Sequence, residues 1–226
     1  MDEGARRASE VLRQLREEDP WFSYPDAVEM LSMLEEAEVP ELAAGLGEGS
    51  AKLRAAVARA LGAYRTAEAR AAVENVLTDP SPDVRRAAVA ALGEWGDPGA
   101  VAGLARVVSE DPDRYTRLAA VQVLAASGDP AAATLLAVFL AAATLDDVPV
   151  LGEAVDALAG FGSTVALRPL LALLGNAEPA LQEKALAGLA ALGDPAAALP
   201  LREYAAREED AYLAGLAERV AGRLNG

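Results

Sequence analysis

A segment of about 31 residues that recurs along the chain is the feature that most constrains its fold. Five copies share one template: an apolar residue, an alanine-rich stretch, a leucine, a small residue, a turn and a second apolar stretch. The matched leucines are Leu61, Leu92, Leu124, Leu158 and Leu189, at spacings of 31, 32, 34 and 31 residues. Such a repeat predicts a fold that grows by stacking similar units, because one unit alone cannot bury its apolar face.

Both halves of each copy have the periodicity of an α-helix. In the second half of the third copy, the apolar residues follow an i, i+4, i+7, i+8 pattern, which lines one face of a helix. They are Ala132, Leu136, Phe139 and Leu140. No sustained alternation of apolar and polar residues, the pattern of a strand, is present. The sequence therefore predicts an all-α protein of antiparallel helix pairs, with the leucines and these stripes as its core.

Three glycine-aspartate-proline turns separate the two halves of a copy: Gly96-Asp97-Pro98, Gly128-Asp129-Pro130 and Gly193-Asp194-Pro195. Glycine is favoured just after a helix, aspartate at the N-cap of the next one, and proline at its first position. N-capping accounts for these aspartates, and neither they nor Asp146-Asp147 have the spacing of a calcium loop. We therefore expect helix boundaries here and no metal site.

The sequences on either side of the repeats are atypical, as the ends of a repeat array are. We expect residues 1–49 to form capping helices and a degenerate first repeat. Residues 50–209 are predicted to form the five repeats, and residues 210–226 a C-terminal capping helix. This organisation predicts one continuous domain.

The clearest copy runs from Asp83 to Ala100 and reads DVRRAAVAALGEWGDPGA. It resembles the short HEAT-like repeats of the phycobilisome-lyase type, and the resemblance extends over roughly Ser50 to Glu209. The family implies a right-handed α-solenoid, a superhelix that usually acts as a binding scaffold. Some members are enzymes or enzyme subunits: bilin lyases, DNA glycosylases and deoxyhypusine hydroxylase. The hydroxylase relies on His-Glu motifs, which this sequence lacks.

Two residue types are missing from the chain, histidine and cysteine. Their absence excludes Ser-His and Cys-His catalytic pairs, imidazole proton shuttles, thiolate nucleophiles and cysteine-ligated metals. Only carboxylates, hydroxyls, Lys, Arg and Tyr remain for catalysis. We expect a non-enzymatic protein that uses no cofactor and no metal.

The chain is strongly acidic, with 35 acidic and 20 basic residues and a formal net charge of −15. This balance repels phosphate backbones and anionic lipid, so we expect neither nucleic acid nor membrane as a partner. The longest uncharged apolar stretch, residues 131–145, is too short and alanine-rich for a membrane span. The N-terminal residues lack the apolar region of a signal peptide, so a cytoplasmic location is expected. An acidic cluster, Glu35, Glu36, Glu38 and Glu41, is predicted to be a solvated face, with electrostatic attraction of a partner as the alternative.

Three arginines, Arg54, Arg85 and Arg117, recur at spacings of 31 and 32 residues, directly after the first position of a copy. The resemblance implies a ladder of Arg–Asp pairs that joins successive repeats through the turn aspartates. Leu151 and Gln182 occupy the equivalent positions in the last two copies and interrupt it. Anion binding by these arginines is the alternative.

Three of the ten aromatic residues, Trp21, Phe22 and Tyr24, lie within four positions before the repeats. They have two possible roles, which the sequence leaves open. They either seal the N-terminal end of the core or form an exposed anchor, since aromatic side chains are favoured at interface hot spots.

A partner-binding surface is predicted on the second helices, which line the concave side in the family that the sequence resembles. Its centre is uncharged and its ends are charged, as expected of a groove for an amphipathic helix. The predicted residues are Arg70, Glu74, Arg106, Ala133, Ala137, Val138, Leu167, Leu171, Arg202 and Glu203. The alternative is that rotated helices or flanking loops bury these positions.

These observations predict a non-enzymatic scaffold or adaptor for protein–protein interaction that binds its partner on the concave face. One alternative is a subunit of a bilin-lyase-type enzyme. Another is a structural homodimer formed through the apolar groove, so the sequence leaves monomer and homodimer both open.

The charge balance yields a first testable prediction. At about 0.15 M salt the protein should show no specific affinity for duplex DNA or RNA, because phosphate contacts require clustered bases. Fluorescence anisotropy with labelled duplexes measures this. Submicromolar binding with a steep salt dependence would contradict the prediction.

Overall fold

Helices form all the regular structure in the part of the chain that the structure describes. The computed structural model describes residues 3–19, 21–96, 98–142, 148–162, 164–176 and 178–224. No strand occurs within these ranges. The all-α prediction is therefore confirmed.

The chain divides into two compact units, Met1–Val107 and Val108–Gly226, and the division falls within one helix. The helices of the first unit are α1 Glu3–Glu17, α2 Tyr24–Ser32, α3 Val39–Ala44, α4 Ala51–Leu61, α5 Ala67–Asn75, α6 Pro82–Trp95 and most of α7 Pro98–Glu110. The helices of the second unit are α8 Arg114–Ser127, α9 Pro130–Ala142, α10 Val148–Phe161, α11 Leu167–Asn176, α12 Pro179–Leu192, α13 Ala198–Ala205 and α14 Ala211–Leu224. Short 3₁₀ turns adjoin α3, α5, α11 and α13.

In each unit the helices form two layers. The first unit packs α2, α4 and α6 side by side, while α3 packs on α5 and α1 covers α3. The second unit packs α8, α10, α12 and α14 in one layer and α9, α11 and α13 in the other. The copies that begin with α4, α8, α10 and α12 thus contribute the first helix to one layer and the second helix to the other.

The matched leucines form the centre of the core. All five, Leu61, Leu92, Leu124, Leu158 and Leu189, are completely buried. The stripes of the second helices are buried with them: Ala69, Ala132, Ala166, Ala197, Val73, Leu104, Leu136, Leu170 and Leu201. The predicted helix register is therefore correct on the core side.

The predicted turn chemistry is present at both turns that the structure describes in full. Gly128 ends α8 with a φ of 65°, a left-handed conformation that favours glycine. The Asp129 side chain then accepts a hydrogen bond from the N–H of Ala131 at 2.8 Å. Asp194 accepts one from the N–H of Ala196 at 2.9 Å. Asp97, Asp146 and Asp147 lie outside the described residues.

One member of the acidic cluster corrects the prediction of a solvated face. Glu38 is buried, whereas Glu35 and Glu36 are exposed. The Glu38 carboxylate turns inward because it accepts a hydrogen bond from the N–H of Glu35 at 2.7 Å, which closes a capping box with the Glu35 side chain.

The link between the first two repeats contains a two-pronged ion pair. The Nε and Nη2 atoms of Arg54 donate to the two carboxylate oxygens of Asp79 at 2.9 and 3.0 Å. The Nη1 atom of Arg54 donates to the carbonyl of Gly49 at 2.9 Å. The same arginine therefore connects the segment before its helix pair to the segment after it. The side chains of Arg54 and Asp79 are both mostly buried.

Hydrogen bonds from the equivalent residues recur along the chain. Arg85 donates to the carbonyl of Asp79 at 2.9 Å, and Arg117 donates to the carbonyl of Asp111. In the last copy, Gln182 donates to the carbonyl of Leu174 at 3.0 Å. Arg85 and Arg117 thus each bind a carbonyl of the link that precedes their helix, and Gln182 binds a carbonyl in the last turn of α11. The aspartates involved belong to these links and not to the turns within a pair, which corrects the geometry implied by the resemblance.

Two opposing effects act on the Asp79 carboxyl. Burial raises the pKa of Asp79, but hydrogen bonds from Arg54 and from the Ser81 N–H outweigh it. The net pKa of Asp79 therefore lies below the ordinary value for aspartate. A lowered pKa in the folded state means that the ionised carboxylate stabilises the fold.

The core predicts the effect of a truncation in the second unit. Leu136→Ala should lower the free energy of unfolding by about 2–5 kcal/mol, because Leu136 is completely buried and its loss leaves a cavity. Val138→Ala, two residues further along the same helix, is the matched control. Val138 is 64% exposed, so the change should stay within about 0.5 kcal/mol. Urea denaturation measures both, and a loss below about 1 kcal/mol for Leu136→Ala would contradict the helix register.

The ion pair between Arg54 and Asp79 should make a pH-dependent contribution to the free energy of unfolding. Asp79→Asn should cost about 1–3 kcal/mol at neutral pH, because it removes the charge that Arg54 binds. The contribution of Asp79 should be complete above the unfolded-state pKa of about 3.9 and disappear as the pH falls through the lower folded-state pKa. Denaturation at a series of pH values measures the difference between the natural chain and the variant.

Asp156→Asn is the control for this prediction, since Asp156 pairs with Lys184 on the surface, where a pair contributes little. A difference between the natural chain and Asp79→Asn that persists unchanged below pH of about 3 would contradict the role of the ionised carboxylate.

Candidate binding surface

Each second helix of the second unit exposes one narrow stripe. In α9 the exposed positions are Ala131, Thr134, Val138 and Ala141, at intervals of three and four residues that define one face of a helix. None of the four carries a charge. Val138 is the most prominent of them, with 64% of its surface exposed.

The next two second helices expose the equivalent positions. In α11 and the turn before it these are Val165, Arg168, Ala172 and Gly175, and around α13 they are Ala196, Leu199, Glu203 and Ala206. Because α9 packs on α11 and α11 packs on α13, the three stripes lie side by side. We call this surface the α9–α13 face.

The α9–α13 face changes character from one side to the other. Its α9 side has small and apolar side chains only, while the α13 side adds the exposed charges of Arg202 and Glu203. Leu199 lies among these charges and is 66% exposed. The face therefore combines exposed aliphatic side chains with a charged edge.

Five of the predicted binding residues of the second unit contribute to this surface. Val138, Arg202 and Glu203 are exposed, and Leu167 and Leu171 are half-buried. The prediction missed Val165 and Leu199, which are also large and exposed. The spacing in the sequence could have identified Leu199, because it lies three residues after Ala196 and four before Glu203 on one helix face.

The structure corrects the prediction for Ala133 and Ala137, which are buried at 1% and 7% exposure. Successive residues of a helix are rotated by about 100°, so both alanines lie on the flank of the core stripe centred on Leu136. Val138 and Thr134 point in nearly the opposite direction from Leu136. Neighbouring helices therefore cover the two alanines, as the alternative interpretation of the sequence expected.

The remaining predicted residues belong to the first unit. Arg70 and Glu74 are half-buried on α5, and Arg106 is exposed on α7. The guanidinium of Arg70 lies 4.8 Å from the ring centre of Trp95, a cation–π contact between α5 and the end of α6. Arg70 therefore has a packing role within its own unit.

The aromatic residues around the start of α2 differ in which of the two predicted roles they have. Phe22 is buried, and the Nζ of Lys52 lies 4.2 Å from its ring centre and donates to its carbonyl. Tyr24 is half-buried. Trp21 is 89% exposed. Phe22 thus seals the core, while Trp21 projects into solvent.

Two further observations apply to the described ranges. They contain no group of three or more acidic side chains arranged to hold a metal ion. No helix in them combines the length and the apolar character that crossing a bilayer requires.

Sequence comparison identifies a family. The chain matches the HEAT repeats family over residues 39–125, 71–149 and 136–222, so the overlapping matches extend over most of the chain. A comparison with curated proteins gave no significant match.

Solved structures with a similar fold come from diverse sources. The archaeal HEAT-like repeats protein from Thermococcus onnurineus NA1 is 18% identical, with 100% of this chain and 98% of that chain aligned and a TM-score of 0.57. An engineered protein is also 18% identical, with 83% and 96% aligned and a TM-score of 0.52. The complex of CpcE and CpcF of phycocyanin lyase from Nostoc sp. PCC7120 is 22% identical, with 96% and 94% aligned and a TM-score of 0.49.

At these identities the first two similarities support the fold and no particular activity, and the third is too distant to support an argument. The family match extends over more than half of the chain, and the layered helix pairs in each unit agree with it. This chain belongs to the HEAT repeats family and has an all-α fold of the solenoid class.

Proposed function

We propose that this protein is a non-enzymatic scaffold that binds a segment of a partner protein on the α9–α13 face of its second unit. The HEAT-repeat fold supports a role in protein interaction in general, because stacked repeats create extended surfaces for partners. The particular face and the kind of partner are inferred from the exposed side chains.

The uncharged stripe of α9 is the observation that carries the proposal. The chain has a net charge of −15, and nearly a quarter of its residues are charged. Nevertheless Ala131, Thr134, Val138 and Ala141 expose a face of α9 without a charge. Exposed apolar surface of this kind is a common mark of an interaction site, because covering it requires no desolvation of a charge.

The chemistry of the face favours an amphipathic helix as the partner segment. Val138, Val165 and Leu199 offer separate aliphatic contacts, and the small residues between them leave room for the side chains of a helix. Arg202 and Glu203 at the edge provide charges of both signs for the polar side of that helix. Such an arrangement of an apolar centre and a polar rim is typical of protein interfaces.

The proposal includes no catalytic step. The chain lacks His and Cys, and the only acidic group in the exposed stripes of the face is Glu203. A binding role therefore accounts for the exposed side chains without requiring chemistry from them.

A charge placed on the face tests the proposal. Val138→Glu and Leu199→Glu should each weaken partner binding at least about tenfold, because each replaces an aliphatic contact with a carboxylate that must be desolvated on association. Their melting temperatures should change little, since both side chains are exposed. Affinity purification from the source organism with the natural chain, followed by mass spectrometry and titration of the recovered partner, provides the measurement.

Ala187→Glu is the matched control, because Ala187 is an exposed alanine on α12, in the other layer of the same unit. It adds the same charge and should leave binding unchanged. Equal loss with Ala187→Glu, or undiminished binding by Val138→Glu, would contradict the assignment. Sedimentation separates self-association from binding of a different protein.

A further inference from the structure

A second surface feature lies in the first unit, in the layer of first helices. It is a cavity of about 500 Å³ formed by α2, α4 and α6, within the size range of ligand sites. Its polar lining consists of Tyr24, Lys52, Arg59, Asp83 and Arg86. Three alanines on α4 and α6 form the rest of the lining. The cavity exists because these short side chains leave space between longer ones.

The cationic side chains of the cavity are held in place. Arg59 donates from Nη2 to the Glu94 carboxylate at 2.5 Å, which connects α4 to α6. Lys52 is fixed by its contacts with the ring and carbonyl of Phe22, and Arg86 donates to Asp83. Side chains that are already ordered lose less conformational entropy when a ligand binds.

The charge of the lining contrasts with that of the chain. Lys52, Arg59 and Arg86 place three positive charges around the cavity, against two negative charges, those of Asp83 in the lining and of Glu94, which pairs with Arg59. The whole protein carries −15. A cavity with a local excess of positive charge favours an anionic group, since the attraction acts at short range and in a partly desolvated site.

The donors of the lining suit a carboxylate group. Guanidinium groups bind carboxylates with two parallel hydrogen bonds. Burial and the charge of Asp83 raise the pKa of Tyr24 against the opposing effect of Arg59, so its hydroxyl remains a donor at neutral pH.

An exposed aromatic residue lies three positions before Tyr24 of the lining and points to a ligand larger than a free acid. Trp21 directly precedes Phe22, whose carbonyl accepts the hydrogen bond of Lys52. An exposed tryptophan is costly in water and is among the residues most favoured at the centre of protein interfaces. Three residues span at most roughly 11 Å, a distance that a peptide segment bridges and a small acid does not.

We propose that the cavity lined by Lys52, Arg59 and Arg86 binds an acidic side chain of a protein segment, while Trp21 packs against an apolar residue of the same segment. The inference rests on the proposed function only in taking a protein as the ligand. It concerns another unit and another helix layer than the α9–α13 face.

Titration with a short peptide tests the inference. The probe is acetyl-Leu-Glu-Glu-Leu-Glu-amide, and the reference is the same peptide with Gln in place of each Glu. In nuclear magnetic resonance spectra at low ionic strength, the acidic peptide should shift the amide signals of α4 and α6 and the indole N–H signal of Trp21. The Gln peptide should bind at least about fivefold more weakly, because it cannot form charge-assisted hydrogen bonds.

Variants of the lining residues test whether the acidic peptide binds in the cavity. Arg59→Gln should weaken binding of the acidic peptide at least about fivefold. Lys184→Gln is the matched control, because it removes an ion pair with Asp156 that joins neighbouring first helices in the second unit. Lys52→Gln provides a second variant if the melting temperature of Arg59→Gln falls. Trp21→Ala should weaken binding of the peptide. It should leave the melting temperature unchanged, since Trp21 is exposed.

Several outcomes would overturn the inference. Equal affinity for the Gln peptide would exclude carboxylate recognition, and undiminished binding by both cavity variants would exclude the cavity. Inorganic phosphate that shifts the same signals while the peptide does not would identify a free-anion site. Val138→Glu should leave peptide affinity unchanged, so failure here and failure of the α9–α13 face are distinguishable.

Discussion

Burial of one apolar stripe per helix against the neighbouring pair is the interaction on which this structure depends. The five matched leucines are completely buried, yet no helix pair has enough apolar surface to bury its own leucine without a neighbour. Alanine makes this possible, because its small side chain allows two helices to approach closely. The residue types at the core positions are therefore restricted in every helix pair. The outward positions need only tolerate contact with water.

That division explains why the outward stripes differ so much along the chain. The stripe of α9 has no charge, the stripe of α11 has Arg168, and α13 adds Arg202 and Glu203 on the same side. All three helices nevertheless bury equivalent residues at Leu136, Leu170 and Leu201. Fold and recognition are thus encoded by different positions of the same repeat, and a change in the outward stripe leaves the stacking intact.

The sequence was sufficient for the core and the turns but only partly for the binding surface. Leu136 and the Gly128-Asp129 turn were predicted correctly because periodicity and capping are local properties of a helix. Ala133 and Ala137 were placed on the surface incorrectly, because alanine occurs equally well inside and outside, so the register of the exposed side depends on where the neighbouring helices lie. The cavity near Arg59 was not predicted, since residues from three separate helices form it.

The links between helix pairs have a consequence for how such a chain changes over evolutionary time. Arg85, Arg117 and Gln182 each donate to a carbonyl only six to eight residues earlier, so each of these three hydrogen bonds forms within its own stretch of sequence. The neutral Gln182 also donates to a backbone carbonyl, so this hydrogen bond does not require a charged side chain. Duplication or deletion of a whole helix pair therefore includes both partners of such a hydrogen bond. The number of pairs can change without loss of these local bonds.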